Sequence, residues 1–200
     1  DTNTFSRMTC CGKAMHKHCS RDVQTSKMSP DLKNRCPECR QIYPSTEKEA
    51  VEQTRVWADK GKPWAQTTLA NQYLFGKGVP QSYEEAIEYY NMAIKQGDPN
   101  AMCDLADMYA QGKGVAQSLE KAAELFALAA NRGHARAQYN TGFLYFGGEG
   151  VAQSYEKAFK LYTLAANQGH VGAQYGLGGS YYQGQGVAQS NAMARKWWLK

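Results

Sequence analysis

Apolar and small residues recur along this chain at helical spacing, in a pattern that repeats every 36 residues. Within one unit Ala65, Leu69 and Tyr73 stand four residues apart, which places them on one face of a helix. Further along, Ala86 and Tyr90 mark the inward face of a second helix. Each unit is therefore predicted to contain a helix A, a loop and a helix B.

The same residue types occupy equivalent positions in four successive units, so they form columns when the units are aligned. These columns are Ala65, Ala101, Ala137 and Ala173; Ala86, Ala122, Ala158 and Ala194; Tyr73, Tyr109, Tyr145 and Tyr181; and Tyr90, Phe126, Tyr162 and Trp198. The alanines allow helices to approach closely, and the aromatic rings are expected to fill the spaces between them. A two-helix unit cannot bury its apolar face alone, so neighbouring units must stack.

The residues between the helices support this reading. The loop after each helix A carries the phrase Gly-x-Gly-Val, which occurs at residues 76–79, 112–115, 148–151 and 184–187. A Gly-x-Gly cradles phosphate between a strand and a helix, whereas here it joins two helices, which favours a turn. Ser82 and its equivalents precede helix B as N-caps, and Ser82 with Glu85 fits a capping box. Gly97, Gly133 and Gly169 follow helix B, where a left-handed cap favours glycine.

The repeat pattern continues upstream in weaker form. Residues 46–60 repeat the helix B pattern, with Thr46 and Glu49 offering another capping box. We interpret this segment as the N-terminal cap of a solenoid that spans residues 46–200. Its outer face is predicted to carry Lys48, Glu52, Arg55 and Asp59, since a terminal unit needs a polar surface. The repeats are predicted at about residues 64–99, 100–135, 136–171 and, truncated, 172–200.

The Gly-x-Gly-Val phrase, the Ala-x-x-x-Leu-Ala-x-x-Tyr pattern of helix A and the alanines of helix B resemble the Sel-one-like (SLR) repeat family, relatives of tetratricopeptide repeats. The resemblance covers about residues 46–200. Thr141, which replaces the leucine of the other units, puts local packing in question. The resemblance implies a mainly α fold, an α-solenoid of about four helix-turn-helix repeats. It also implies an adaptor that holds partner proteins or peptides on its concave surface.

Composition narrows the function classes. The net charge of +5 is mild and no basic stripe is visible, so nucleic-acid binding is not expected. No apolar run approaches the length of a membrane span, and we expect an intracellular, cytoplasmic protein. His134 and His170 are predicted to be solvated loop residues, and Cys103 a small buried hydrophobic residue.

Five of the six cysteines precede residue 40, which predicts a separate module at residues 1–45. Cys36 and Cys39 have the C-x-x-C spacing of a zinc knuckle, and His16 and Cys19 have the same spacing, with sixteen residues between the two pairs. Zinc takes four Cys or His ligands in a tetrahedron, and in so short a polar region the metal would supply the folding energy. The candidate ligands are Cys10, Cys11, His16, Cys19, Cys36 and Cys39, with His18 as an alternative.

The spacing is similar to the C-terminal three-quarters of a RING finger. Laid on that pattern, Cys11 is the third ligand, Lys13 stands at the usual histidine, and the remaining ligands follow at His16, Cys19, Cys36 and Cys39. The first Cys pair of the pattern is expected before Cys10, but residues 1–9 contain neither Cys nor His. Either that pair lies upstream of Asp1 or the first zinc site is broken, so the resemblance implies one or two zinc ions. It also implies that Pro37 and Arg40 contact a ubiquitin-conjugating enzyme and ubiquitin.

Two functions from different classes stay open. The first is a non-enzymatic adaptor in which the zinc module is a docking element. The second is a RING-type ubiquitin ligase whose repeats recruit substrate, and in which no residue of the chain performs covalent catalysis. Disulfides and a redox C-x-x-C are disfavoured, because a repeat scaffold argues for reduced thiols and no thioredoxin-like pattern surrounds the pair. We expect the natural protein to continue beyond both ends of this chain.

Overall fold

The computed structural model describes residues 44–199, and these residues form nine α-helices with no strand among them. The first eight helices have 13 residues each and the ninth has eight. The helices are α1 (Glu47–Asp59), α2 (Pro63–Phe75), α3 (Tyr83–Lys95), α4 (Pro99–Gln111), α5 (Leu119–Asn131), α6 (Ala135–Gly147), α7 (Tyr155–Asn167), α8 (Val171–Gln183) and α9 (Asn191–Trp198). The predicted mainly α class is confirmed for this part of the chain.

The chain divides into two compact units between Gln96 and Gly97. In the first unit, α2 packs against α1 and α3. In the second unit, each helix from α4 to α9 packs against the next one along the chain. Helices α2, α4, α6 and α8 are the predicted helices A, and the others are helices B. None of the helices in residues 44–199 combines the length and the apolar character needed to cross a bilayer.

The alanine columns lie in the core, as predicted. Ala101, Ala137 and Ala173 are fully buried, and so is Tyr90 in the aromatic column of helix B. Trp198, in the same aromatic column, is instead 43% exposed. Its indole lies across Gly178 and its Nε1 donates a hydrogen bond to the carbonyl of Tyr175 at 3.2 Å, so the ring covers the end of α8 rather than filling a core space.

The replacement of leucine by Thr141 in α6 is accommodated by neighbouring side chains. Thr141 is buried, and its hydroxyl donates a hydrogen bond to the carbonyl of Ala137 at 2.8 Å. The next residue is Gly142, and a Cβ there would come within 2.9 Å of the ring of Tyr162. The tyrosine ring thus occupies the space beside a smaller helix A, and α6 keeps the same length as its neighbours.

The capping helix α1 differs from its prediction in two contacts. Thr46 accepts a hydrogen bond from the amide of Glu49, but the Glu49 carboxylate accepts from the amide and hydroxyl of Ser45, one residue before the N-cap. Arg55 does not lie on the solvated outer face. Its Nη2 donates to the hydroxyl of Tyr73 on α2 at 3.0 Å, and the side chain is part-buried.

The predicted capping box at Ser82 forms in one direction. The hydroxyl of Ser82 accepts from the amide of Glu85 at 3.2 Å. The amide of Ser82 is already bonded to the carbonyl of Tyr73 at 3.1 Å, so it does not need the Glu85 carboxylate. The same backbone bond occurs in every repeat: the amides of Ser118, Ser154 and Ser190 donate to the carbonyls of Tyr109, Tyr145 and Tyr181.

The Gly-x-Gly-Val phrase is a turn, as predicted. Its first glycine ends helix A in the left-handed conformation. Its second glycine has a positive φ and packs directly on the preceding unit: a Cβ at Gly150 would collide with the backbone of Leu119, and one at Gly186 with that of Tyr155. The loop between helices A and B therefore contacts the first residue of the previous helix B.

Candidate interaction face

One stripe of the second unit changes chemistry from repeat to repeat. It consists of the second, sixth and ninth residues of α4, α6 and α8, whose spacing keeps them on one face of each helix. We call this stripe the A-face. Its residues are Asn100, Asp104, Asp107, Arg136, Asn140, Phe143, Gly172, Gly176 and Gly179, all of them at least partly exposed.

An ion cluster joins α4 to α6 on the A-face. Arg136 binds the carboxylate of Asp104, and its Nη1 lies 3.0 Å from Oδ2 of Asp107. Burial raises the pKa of Asp107, and the nearby guanidinium of Arg136 acts in the opposite direction. Because the side chain of Arg136 is 44% exposed, it can contact a ligand while it holds both carboxylates.

The two histidines lie in the loops before α6 and α8, as predicted, but they are half-buried N-caps rather than freely solvated residues. Nδ1 of His134 accepts a hydrogen bond from the amide of Ala137 at 3.2 Å, and Nε2 lies 3.2 Å from Oδ1 of Asn100. This arrangement requires the neutral ring with its proton on Nε2. Burial lowers the pKa of His134. His170 caps α8 in the same way, and burial lowers its pKa too.

Cys103 lies under the ion cluster and is fully buried, as predicted. Burial raises the pKa of its thiol to about 12, and the positive charge of Arg136 opposes that shift. The thiol is therefore protonated at neutral pH, and it has neither the thiolate character nor the exposure of a reactive cysteine.

The far side of the A-face is apolar and uncharged. Phe143 is 49% exposed, and the equivalent residue one repeat later is Gly179, where a Cβ would meet nothing within 4 Å. Tyr139 stacks on His170 with ring centroids 4.6 Å apart, and Gly172 lies against its ring. An exposed phenyl ring thus stands beside open space, next to a charged cluster on the same face.

The zinc-site residues predicted from the sequence lie outside the described residues. They are Cys10, Cys11, His16, His18, Cys19, Cys36 and Cys39, together with Pro37 and Arg40 at the predicted enzyme contact.

The ion cluster of Asp104, Asp107 and Arg136 was not among the site residues predicted from the sequence. Two carboxylates three residues apart on one helix A, with an arginine near the start of the next, were the available signal.

Comparison with known proteins gives one family. The model of the Sel1 repeat matches residues 65–98, 99–134, 135–170 and 171–200. No match is found among curated proteins.

Among solved structures, a Sel1 repeat protein from Oxalobacter formigenes is 30% identical with a TM-score of 0.73, over 78% of this chain and 63% of that one. A protective antigen of uropathogenic Escherichia coli strains, which displays an SLR fold, is 30% identical with a TM-score of 0.71, over 76% of this chain and 32% of that one. The chain therefore spans about a third of the antigen and just under two thirds of the Oxalobacter protein. Cysteine rich protein B of Helicobacter pylori, 20% identical with a TM-score of 0.53, shares the fold.

Proposed function

The chain belongs to the Sel1 repeat family, and from that premise we propose that it is a non-enzymatic adaptor that binds a protein segment on its A-face. The Sel1 helical solenoid is typical of protein–protein interaction scaffolds. The resemblance to SLR repeats implies a concave surface for this purpose, and the A-face is the part of the second unit that offers varied chemistry to a partner.

The observation that carries this proposal is the contrast between columns. Columns that build the scaffold keep one residue type through the repeats, as Ala101, Ala137 and Ala173 do. The A-face columns change completely: Asn100, Arg136, Gly172; Asp104, Asn140, Gly176; and Asp107, Phe143, Gly179. Since the backbone is the same in each repeat, helix geometry does not dictate these side chains, and packing limits only Gly172 and Gly176, which lie against the rings of Tyr139 and Tyr162. Their variety supports a surface shaped for a particular ligand.

The chemistry of the A-face fits an extended peptide. The exposed guanidinium of Arg136 can bind a carboxylate or a backbone carbonyl, and the amides of Asn140 can bond to an extended backbone. Phe143, with open space beside Gly179, can receive an apolar side chain as an anchor. The proposed ligand is a segment with an acidic or carbonyl-rich stretch followed by an apolar residue.

Selection from a random peptide library on the full chain tests this proposal. Enriched peptides should lose at least about tenfold in affinity for the Phe143→Asp and Arg136→Ala variants, because anchor residues carry most of the binding energy. Asn131→Ala, at an exposed position near the end of α5, is the matched control and should bind as the parent does. Peptides that bind all three variants equally would place the site elsewhere and refute the proposal.

We also propose that residues 1–45 bind zinc. The ligands are drawn from Cys10, Cys11, His16, Cys19, Cys36 and Cys39, with His18 as an alternative ligand. The support is the ligand spacing of the sequence. Metal analysis of the reduced full chain should find one or two zinc ions. Chelation should leave the helical circular dichroism of the repeats in place, whereas a cooperative loss of that signal would contradict an independent zinc module.

Ubiquitin ligase activity is the alternative that the Cys36-Pro37-Glu38-Cys39-Arg40 segment favours. The longest natural form of the protein, assayed with a panel of ubiquitin-conjugating enzymes, should ubiquitinate itself in a manner that Pro37→Ala weakens. Zinc-loaded protein without activity toward any of the enzymes would leave the adaptor function.

A further inference from the structure

A second surface of the second unit lies on the outward side of α5 and α7. Both helices pack against α6. Gly150, at the start of the connection into α7, abuts Leu119 at the start of α5, and Nε2 of Gln168 after α7 donates to the carbonyl of Gly133 after α5 at 3.0 Å. The two helices therefore lie side by side, parallel and in register.

Exposed side chains form matching pairs on this surface. Glu124 and Leu128 stand four residues apart on α5, and Lys160 and Leu164 occupy the equivalent positions on α7. Leu128 is 46% exposed and Leu164 is 51% exposed. Glu124 and Lys160 are also exposed, and within residues 44–199 neither has an ion-pair partner. We call these four residues the B-patch.

We propose that the B-patch is the contact surface for a second copy of this chain, in a weak two-fold symmetric dimer. A two-fold axis parallel to α5 and α7, and midway between them, brings α5 of one copy onto α7 of the other. Glu124 then faces the partner's Lys160, and Leu128 faces the partner's Leu164. By symmetry both contacts occur twice, which is the self-complementarity that an isologous interface requires.

The charges select this register over its neighbours. The column that contains Glu124 and Lys160 reads Glu88, Glu124, Lys160 and Lys196 through the repeats. Pairing repeats 3 and 4 in the same way would oppose two lysines. Opposite charges meet when repeat 2 pairs with repeat 3. Two like pairs arise in this arrangement, and both lie at the rim near the helix N-termini. Glu120 meets the partner's Glu156 where negative charge is favourable. Lys121 meets the partner's Lys157, and the ammonium groups of Lys121 and Lys157 lie over the rings of Tyr109 and Tyr145.

The size of the B-patch sets the expected strength. Two helices of this length, about 20 Å long and about 10 Å apart, offer roughly 400 Å² per copy, or about 800 Å² in total. That area belongs to weak and transient interfaces. The dimer is therefore expected at high concentration, and its stability should fall as salt rises because its two ion pairs are close to solvent.

Charge reversal tests the proposal on the full chain. Sedimentation equilibrium should show association within the range from about 10 µM to about 1 mM that suits an interface of this size. Glu124→Lys or Lys160→Glu alone should weaken the dimer at least about tenfold, because each places like charges opposite one another twice. The variant that carries both changes should dimerise as the parent does.

Mixing gives the sharpest result. Glu124→Lys and Lys160→Glu chains should each associate at least about tenfold more weakly than the parent when alone, and should form heterodimers of parental strength when combined, since both charge pairs are then restored. Lys196→Glu, with the same change in net charge one repeat further on, is the control and should leave the dimer intact. Folded monomers at every concentration, or single variants that associate like the parent, would overturn the proposal.

Discussion

Repeat 2, formed by α4 and α5, and repeat 3, formed by α6 and α7, share a backbone but differ in their polar contacts. In repeat 3, Gln168 after helix B donates to the side chain of Gln138 on helix A at 2.8 Å. In repeat 2 both positions change together: Arg132 contacts the sulfur of Met102 at 3.7 Å. A substitution on helix A is thus matched by a substitution at the end of helix B, while the scaffold columns between them stay the same.

A second difference concerns a hydrogen bond between helix B and helix A that repeat 1 forms and repeat 2 lacks. In the first unit, the hydroxyl of Tyr90 donates to Asn71 at 2.7 Å. Repeat 2 has Phe126 and Asp107 at these positions, so no hydroxyl is available to the carboxylate. Asp107 pairs with Arg136 of repeat 3 instead. The position that forms a contact inside repeat 1 thus forms a contact between repeats in repeat 2.

The largest expected effect concerns the contact between repeats 2 and 3, where the loop before α7 meets the start of α5. Gly150→Ala should lower the free energy of unfolding by about 3 kcal/mol, because left-handed strain adds to a collision with the backbone of Leu119. Gly133→Ala is the matched control, since Gly133 has a positive φ but open space around it, and should cost about 1 kcal/mol. Urea unfolding measures both. Equal losses would mean that the close approach contributes nothing to stability.

A smaller effect is expected from converting repeat 2 into repeat 3 at the coupled pair. Arg132→Gln alone should cost about 1 kcal/mol, since its carboxamide would face the thioether of Met102. Adding Met102→Gln should recover the lost stability, because it recreates the amide pair of repeat 3, with a coupling energy of about 1 kcal/mol. A double-mutant cycle by chemical unfolding tests this, and purely additive changes would show that the two positions do not act together.

The smallest effect concerns the caps of the two helices A. Repeat 2 uses Asp98 and repeat 3 uses His134. The folded pKa of His134 lies below its ordinary value of 6.5, so folding favours the neutral ring. Its stabilisation is complete above the unfolded pKa and is lost as the pH falls below that value toward the folded pKa. The cap at stake is worth about 1 kcal/mol.

His134→Asp should remove that pH dependence, because aspartate keeps its acceptor in mildly acidic solution. Thermal unfolding of parent and variant between about pH 7.5 and about pH 5.5 compares them across the histidine range. The parent should lose more stability than the variant on acidification. Parallel curves would contradict a cap that depends on the neutral ring.

The sequence was sufficient for the helices and their order. Columns of alanine and tyrosine predict which faces are buried, and Ser118 and Gly133 predict where a helix begins and ends. These features depend on local spacing and backbone conformation, which periodicity records directly. The resemblance of residues 46–200 to SLR repeats agrees with the four repeats that the family model matches.

Contacts between elements were harder to predict. Gln117 belongs to a column of four glutamines whose side chains donate to carbonyls at the end of helix A. Its Nε2 donates to the carbonyl of Ala110 at 2.8 Å. The column is visible in the sequence, but its partner depends on how the loop folds back. Arg55 and His134 were predicted to be solvated for the same reason, because their partners, Tyr73 and Asn100, come from a neighbouring helix A.

The close approach of Gly150 to Leu119 and of Gly186 to Tyr155 governs how such a chain can lengthen. Each loop is fitted against the preceding repeat, so an added residue there would displace two helices at once. Duplication or deletion of a whole 36-residue unit keeps every seam in register. We therefore expect such a chain to lengthen in steps of one repeat, each of which adds a whole strip of surface rather than an enlarged loop.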